Sequence, residues 1–419
     1  MRVLLVNPPP FQRIDQYDTP DFPQLGLACV AGALEARGIG PVAVVDAKLE
    51  RLDDDAVADR MRAFRPDVVG LTAMTNEVIQ AARVAARAKA ISPSIVTALG
   101  GVHVSVLPER TLAEFPALDF GVIGDGEETF PELVAVLAAG GDPAGVAGLV
   151  LRDDGTPRTT ASRPRVADLD AAGSPAWHLF PRAPRYLVST QRGCPFRCPF
   201  CVNPNGRVPR QRSVDRVVDE MRQVVERYGA RRMYVTDEAF TLDRERTHRL
   251  LDAMIAAGLP GRLAWTAATH VSCVDREMFA RMKAAGCTMV EIGVESGDPD
   301  ILARLHKGVT VARVRAARRA AAEAGLPFEA LMILGHPGET LASARRTLDL
   351  AVELNADQTV FGIMVPFPGT EVAAMAARGE GGYRLIARDW NDYGKQHGHA
   401  VEMANLSRRR LEALQATGY

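Results

Sequence analysis

Cys194-Pro195-Phe196-Arg197-Cys198-Pro199-Phe200-Cys201 decides the reading of this chain. Three cysteines spaced x3 then x2 reach three corners of a cubane iron–sulfur cluster. The fourth iron is left without a protein ligand, so a small chelating molecule can bind there and receive an electron. The octapeptide follows a strand-like run, Tyr186–Thr190. The cluster is therefore expected just beyond the carboxyl end of a strand, where α/β folds place their active sites. Zinc is the competing reading. It favours four ligands in paired groups, and no second Cys or His pair accompanies this triplet.

Outward from the triplet, the flanking sequence reads as a βα series. Apolar runs at Tyr186–Thr190, Arg232–Thr236, Leu263–Ala267, Met289–Val294, Phe328–Leu334 and Thr359–Val365 alternate with helical patterns. Val217, Val218, Met221, Val224 and Val225 mark the buried face of the first helix. Six such units predict an open, partial (β/α)6 barrel over 186–370.

Acids and glycines recur at the predicted strand ends. Asp237-Glu238 follows the second strand, and two acids there can bind an ammonium group or simply form a solvated turn. Glu295-Ser296-Gly297 follows the fourth, where a carboxylate can accept from a ribose hydroxyl pair. Glu291, inside that strand, reads as a structural contact. Gly335-His336-Pro337-Gly338-Glu339 places Gly335 where an adenine edge can lie against backbone. Phe200 is either core or a stacking partner for that adenine. His270 ends the third strand and reads as a substrate contact or a local polar contact.

The first 140 residues form a separate βα series. Val3–Val6, Val42–Val45, Val68–Leu71, Ile95–Leu99 and Phe120–Ile123 are short apolar runs, as buried parallel strands require. Val84, Ala85, Ala88 and Ile91 share one face of a helix. The pattern predicts a doubly wound, Rossmann-like sheet with its ligand at the carboxyl ends of the strands. Those ends carry Asn7-Pro8, Thr72-Ala73-Met74-Thr75, Gly100-Gly101-Val102-His103 and Gly124-Asp125-Gly126-Glu127. Glycines allow close backbone approach to a bulky ligand. Residues 141–185 read as a structured linker with a possible hairpin at Asp153-Asp154-Gly155. The segment 371–419, with Trp390, Tyr393, His397 and His399, is expected to pack partly over the barrel mouth.

These motifs together resemble the cobalamin-dependent (class B) radical S-adenosylmethionine enzymes. The barrel motifs, with Pro366-Phe367-Pro368-Gly369-Thr370, carry the superfamily resemblance. The Gly100–His103 and Gly124–Phe130 motifs carry the cobalamin branch. The resemblance implies a 4Fe–4S cluster on Cys194, Cys198 and Cys201, and S-adenosylmethionine chelated to its open iron. It implies Asp237 or Glu238 at the ammonium, Glu295 with Ser296 at the ribose, and Phe200 and Gly335 around the adenine. Cobalamin would lie on Asn7, Thr72, Met74, Thr75, Gly100, Gly101, Val102, His103, Gly124, Asp125, Gly126 and Glu127. The Asp-x-His-x-x-Gly motif for a histidine on cobalt is absent, so the lower face is expected against Thr72–Thr75. There Met74 is the bulkiest side chain, and His103 is expected at the corrin periphery.

The implied activity is C-methylation of an unactivated carbon in a small metabolite, using a 5′-deoxyadenosyl radical and methylcobalamin. A non-methylating cyclisation, ring contraction or rearrangement is the alternative. An external flavodoxin or ferredoxin as electron donor and a monomeric, cytoplasmic enzyme are expected. A net charge of −1 gives no basic field for nucleic acid, and no apolar run reaches the length of a membrane span. Six cysteines, three of them scattered singly, do not form a secreted disulfide framework. Cys29 alone in the N-terminal half argues against a methylthiotransferase with a second cluster. The intact triplet argues against a non-catalytic cobalamin sensor.

Overall fold

The computed structural model describes residues 1–12, 19–394 and 399–419. His397 lies outside the described residues. The chain divides into two compact units, Met1–Leu187 and Val188–Tyr419.

In the first unit, β1 (Val3–Asn7), β2 (Val42–Asp46), β3 (Val68–Thr72), β4 (Val96–Gly100) and β5 (Phe120–Val122) are parallel, in the order β2-β1-β3-β4-β5. The continuous apolar runs follow from burial on both faces: every residue of β1 is buried. Val84, Ala85 and Ala88 are buried on the helix Val78–Ile91, as the periodicity predicts. Strand order reverses between β1 and β3, and that switch point is where such sheets open a crevice.

Residues 141–185 differ from the expected linker. The hairpin at Asp153–Gly155 does form, joining β6 (Leu149–Asp153) to β7 (Thr156–Thr159). β6 pairs antiparallel with β5, so the hairpin extends the first sheet. Leu149, Val150 and Leu151 are buried, and that apolar edge has a sheet to complete.

The second sheet begins with β8 (Arg185–Val188). Its next strands are β11 (Arg232–Val235), β12 (Ala264–Thr269), β13 (Cys287–Glu295), β14 (Phe328–Leu334) and β15 (Gln358–Ile363). Spatial order follows chain order and leaves two edges, as an open six-stranded barrel requires. From β11 to β15 every neighbouring pair is parallel. Between β8 and β11 a short antiparallel ladder, β9 (Gln191–Arg192) with β10 (Arg210–Gln211), closes the neck of the cysteine loop.

The tail packs in two places. A hairpin of β16 (Tyr383–Leu385) and β17 (Val401–Met403) reaches the loop after β14. There Tyr383 Oη donates to Gly335 O at 2.7 Å and Gly338 N donates to Gly381 O at 2.9 Å. The last helix, Arg408–Gly418, instead lies along β15, with Gln415 Nε2 donating to Phe361 O at 2.7 Å. Among the described residues no helix is long and apolar enough to cross a membrane.

Candidate active site

The cysteine loop is held by its own backbone. Cys194 N donates to Gly206 O at 3.0 Å and Cys201 N to Cys198 O at 3.1 Å. Asn203 Nδ2 donates to Cys194 O at 2.9 Å. From the tail, Val372 N donates to Pro199 O at 3.1 Å. All three thiols are free; Cys194 and Cys198 are half-buried and Cys201 is exposed. Desolvation by the surrounding loop pushes all three thiols up, Cys198 to about 11, and does so at Cys201 although that residue's surface is exposed. They lose their protons on binding metal, which supplies the missing positive charge. Among the described residues no group of three His, Cys, Asp or Glu side chains is arranged to hold a metal ion. Three free thiols on one loop are the donor set a cubane cluster takes, with its fourth iron left open.

The acids after β11 have different roles. Asp237 is 2% exposed. Its Oδ1 accepts from Thr190 N at 2.7 Å and Gln191 N at 3.1 Å, and its Oδ2 accepts from Thr190 Oγ1 at 2.5 Å. Burial pushes its carboxyl up to about 6, partly offset by these bonds. Asp237 therefore braces the end of β8 and cannot reach a ligand ammonium. Glu238 is half-buried and faces the cysteine loop. It accepts from Gly193 N at 3.1 Å on Oε2 and from Asn205 Nδ2 at 2.6 Å on Oε1. A carboxylate has about four lone-pair positions, so each oxygen of Glu238 keeps one for a further donor.

Glu295 ends β13 at a break in register between Gly293 and Glu295. Its φ is +69°, in the left-handed region that a non-glycine residue enters at a cost of about 1–3 kcal/mol. Lys307 holds it there: Nζ donates to Glu295 Oε1 at 2.6 Å and to Gly293 O at 2.8 Å. Both side chains are nearly buried. A Cβ on Gly293 would stand 2.2 Å from Lys307 Nζ and 2.4 Å from Glu295 Oε1, so a larger residue there would push the pair aside. Lys307 has no signature in the sequence. It lies in a loop, outside any apolar period. Ser296 is fully buried, with Oγ 3.1 Å from Thr347 Oγ1 and accepting from Asp298 N at 3.1 Å. It shapes the turn and does not face a ribose.

Gly335 also differs from its expected role. Its N–H donates to Glu339 Oε2 and its carbonyl accepts from Tyr383. Its N–H and carbonyl are therefore both bonded inside the protein, and a Cβ there would stand 3.4 Å from Leu411 and Met364, so Gly335 is buried in its own turn. Phe200 is half-buried, edge-on to His336 with ring centroids 6.2 Å apart. Glu291 accepts from Tyr234 Oη at 2.9 Å, the structural contact its position in the strand predicts.

His270 is a local contact. It is 4% exposed, and both ring nitrogens lie against Ser272 and Lys307 O. Its ring stacks on Phe196.

At the strand ends of the first unit, Met74 is 50% exposed, Gly124 is exposed, and Thr72, Gly101, Val102, Asp125 and Gly126 are half-buried. Gly101 has φ +104°, and a Cβ there would stand 2.6 Å from Ala73 O. Glycine alone lets the loops after β3 and β4 meet. Asp125 stands at the N-cap position of the helix Gly126–Ala138 without a side-chain capping bond, and its Oδ2 accepts from Val166 N at 3.1 Å. Asn7 is buried and donates through Nδ2 to Asp46 Oδ1 at 2.7 Å, locking β1 to β2. Thr75 and Glu127 are buried.

His103 is 1% exposed. Burial pushes its imidazole down to about 4, with Glu114 and Arg110 as its charged neighbours. It points into the fold and is not a corrin contact. With Val104 it is one of the two buried residues of the short helix Val102–Val106.

Comparison with known proteins agrees with both halves of this geometry. The B12 binding domain family matches residues 18–134, and the Radical SAM superfamily matches residues 188–351. An uncharacterized methyltransferase of Pyrococcus horikoshii is 33% identical over 94% of this chain and 86% of its own length. The anaerobic magnesium-protoporphyrin IX monomethyl ester cyclase of Cereibacter sphaeroides is 29% identical over 83% of this chain and 59% of its own. The solved radical S-adenosylmethionine methyltransferase TsrM of Kitasatospora setae, with cobalamin and a [4Fe-4S] cluster bound, superposes with a TM-score of 0.78 at 23% identity. That superposition covers 94% of this chain and 83% of TsrM and shows a shared fold. The chain belongs to the cobalamin-dependent radical S-adenosylmethionine methyltransferases, enzymes that use a 4Fe–4S cluster, S-adenosylmethionine and cobalamin.

Proposed function

We infer that this enzyme methylates an unactivated carbon of a small molecule. The observation that carries the reading is the methyltransferase relative, 33% identical across 94% of the chain. When bound, the cluster and S-adenosylmethionine supply a hydrogen-abstracting carbon radical, and cobalamin supplies the methyl group.

The chain's own residues bind and orient. Cys194, Cys198 and Cys201 hold the cluster. Glu238 offers its remaining lone pairs to the ammonium of S-adenosylmethionine, while Asp237 keeps the end of β8 in place beneath it. Glu295, fixed by Lys307, accepts from the ribose hydroxyls. Phe200, half-buried beside the turn at Gly335, flanks the adenine. In the first unit Thr72, Met74, Gly101, Val102, Gly124, Asp125 and Gly126 line the strand-end surface for the corrin. Met74 stands where its lower face would rest.

A monomer reduced by a flavodoxin- or ferredoxin-type donor completes this reading. The second reading, cyclisation without methyl transfer, is favoured by the cyclase relative. Anaerobic turnover with methyl-labelled S-adenosylmethionine separates the two. Product heavier by one labelled methylene supports methylation. 5′-Deoxyadenosine with an unlabelled product overturns it in favour of cyclisation.

A further inference from the structure

Phe196 lies midway between Cys194 and Cys198, and its ring stacks on His270 with centroids 3.8 Å apart and planes at 17°. Ser272 N donates to His270 Nδ1 at 3.2 Å, so Nδ1 is the acceptor. Nε2 therefore carries the proton and donates to Lys307 O at 2.9 Å. Lys307 Nζ in turn holds Glu295 Oε1 at 2.6 Å. Three of these contacts, Phe196 to His270, His270 to Lys307 and Lys307 to Glu295, make one continuous path from the cysteine loop to the strained end of β13. A second aromatic contact parallels it. Phe200 is edge-on to His336, whose Nε2 lies 3.4 Å from Glu295 O.

We propose that His270 is a positioning residue that couples the cysteine loop to the Glu295–Lys307 pair, fixing the cluster and the S-adenosylmethionine ribose in one register. The role needs both parts of an imidazole. The flat face carries Phe196, and the donor at the far end carries Lys307 O. Phenylalanine supplies only the plane, and glutamine only the donor. Both ring nitrogens are occupied, so His270 has no atom left for substrate. Burial pushes the imidazole down to about 4, which keeps the neutral tautomer in place throughout the working pH range.

This inference rests on Glu295 as the ribose ligand and on the cluster reading of the triplet. The test uses reconstituted full-length H270F, H270Q and F196L. Iron per chain, S-adenosylmethionine affinity, and the electron paramagnetic spectrum of the reduced cluster before and after adding S-adenosylmethionine are measured. Iron content is expected to match wild type. Each single variant is expected to weaken S-adenosylmethionine binding about tenfold and to blur the spectral change that binding causes. F196L/H270Q is expected to be no worse than either single variant, because both break one contact. Wild-type affinity and spectra in H270Q and F196L, or losses that simply add, would overturn the coupling. Should H270F fail to fold, those two variants carry the test alone. Wild-type protein that takes up no four-iron cluster would instead overturn the functional reading.

Discussion

At the barrel strand ends, Asp237, Glu238, Glu295 and Ser296 all have protein partners. The ends of β3, β4 and β5 present mostly glycine and small side chains, with one exposed methionine and the half-buried Asp125. The difference follows from what each must hold. A cluster and a zwitterion are compact and charged, so the groups that meet them must be fixed before they arrive. A corrin is broad and flat, so it needs backbone that can come close. The barrel stores its specificity in a polar network, and the first sheet stores it in loop shape.

The comparison breaks hardest at the thiols. Cys198→Ala is expected to abolish cluster absorbance and all turnover, while corrinoid binding by the first unit persists. Next comes Lys307→Met, which strands Glu295 as a buried, unpaired carboxylate. Breaking such a pair costs about 3–5 kcal/mol. Amide exchange in β13 is expected to speed up accordingly. Adding Glu295→Leu to that variant should recover most of the protection, because no charge is then left unpaired. If Lys307→Met leaves β13 protection unchanged, the polar network is not what stabilises this strand end.

Glu339 gives the barrel side a pH signature. Burial pushes its carboxyl from 4.5 up to about 7, and Asp298 adds to the rise. The folded state therefore binds more protons than the unfolded chain between these values. This contribution is fully present below pH 4.5 and is lost as pH rises through 7. The slope is at most about 1.4 kcal/mol per pH unit. Glu339→Gln should flatten the melting profile over that window. An unchanged profile would remove Glu339 as its source.

Gly101→Ala probes the other region. Its Cβ would press on Ala73 O at a positive φ. A loss of about 1–3 kcal/mol in the first unit is expected, with weaker corrinoid binding and no change in β13 exchange. Loss of S-adenosylmethionine binding in this variant would show that the two strand-end regions are not independent.

Much of this division was legible in the residues. Buried parallel strands announce themselves as apolar runs, so both sheets were readable from Val3–Val6 onward. The cysteine triplet was readable because its spacing serves one chemistry. Glu295 stood out because it ends a predicted strand, as Asp237-Glu238 ends another. Asp237 and Glu238 were indistinguishable in sequence, because alternation decides which faces inward, and it sends Asp237 to Thr190. Lys307 and the His270–Phe196 contact were invisible, since each partner comes from a different loop and no period links them. His103 misled for a related reason. A glycine-flanked histidine after a strand reads as a ligand contact, but one helical turn sends it into the core. The hairpin of β6 and β7 was seen, yet its pairing with β5 depends on an open sheet edge that composition does not record.

The smallest expected effect tests the corrin side most directly. Met74 is half exposed, so truncating it removes little packing. Met74→Ala is expected to change stability by less than about 0.5 kcal/mol. If Met74 faces the corrin as proposed, removing its thioether and methyl would admit water there. The visible absorption of bound cobalamin would report that change, whatever the stability of the protein. Met74→Ala is therefore expected to bind cobalamin in near-stoichiometric amounts with a shifted spectrum, whereas Met74→Leu, which restores the bulk, should return it. An unshifted Met74→Ala spectrum would place the lower face elsewhere on the strand ends. The first sheet would then hold its ligand through Gly101 and Gly124 alone, with no side chain set aside for the metal.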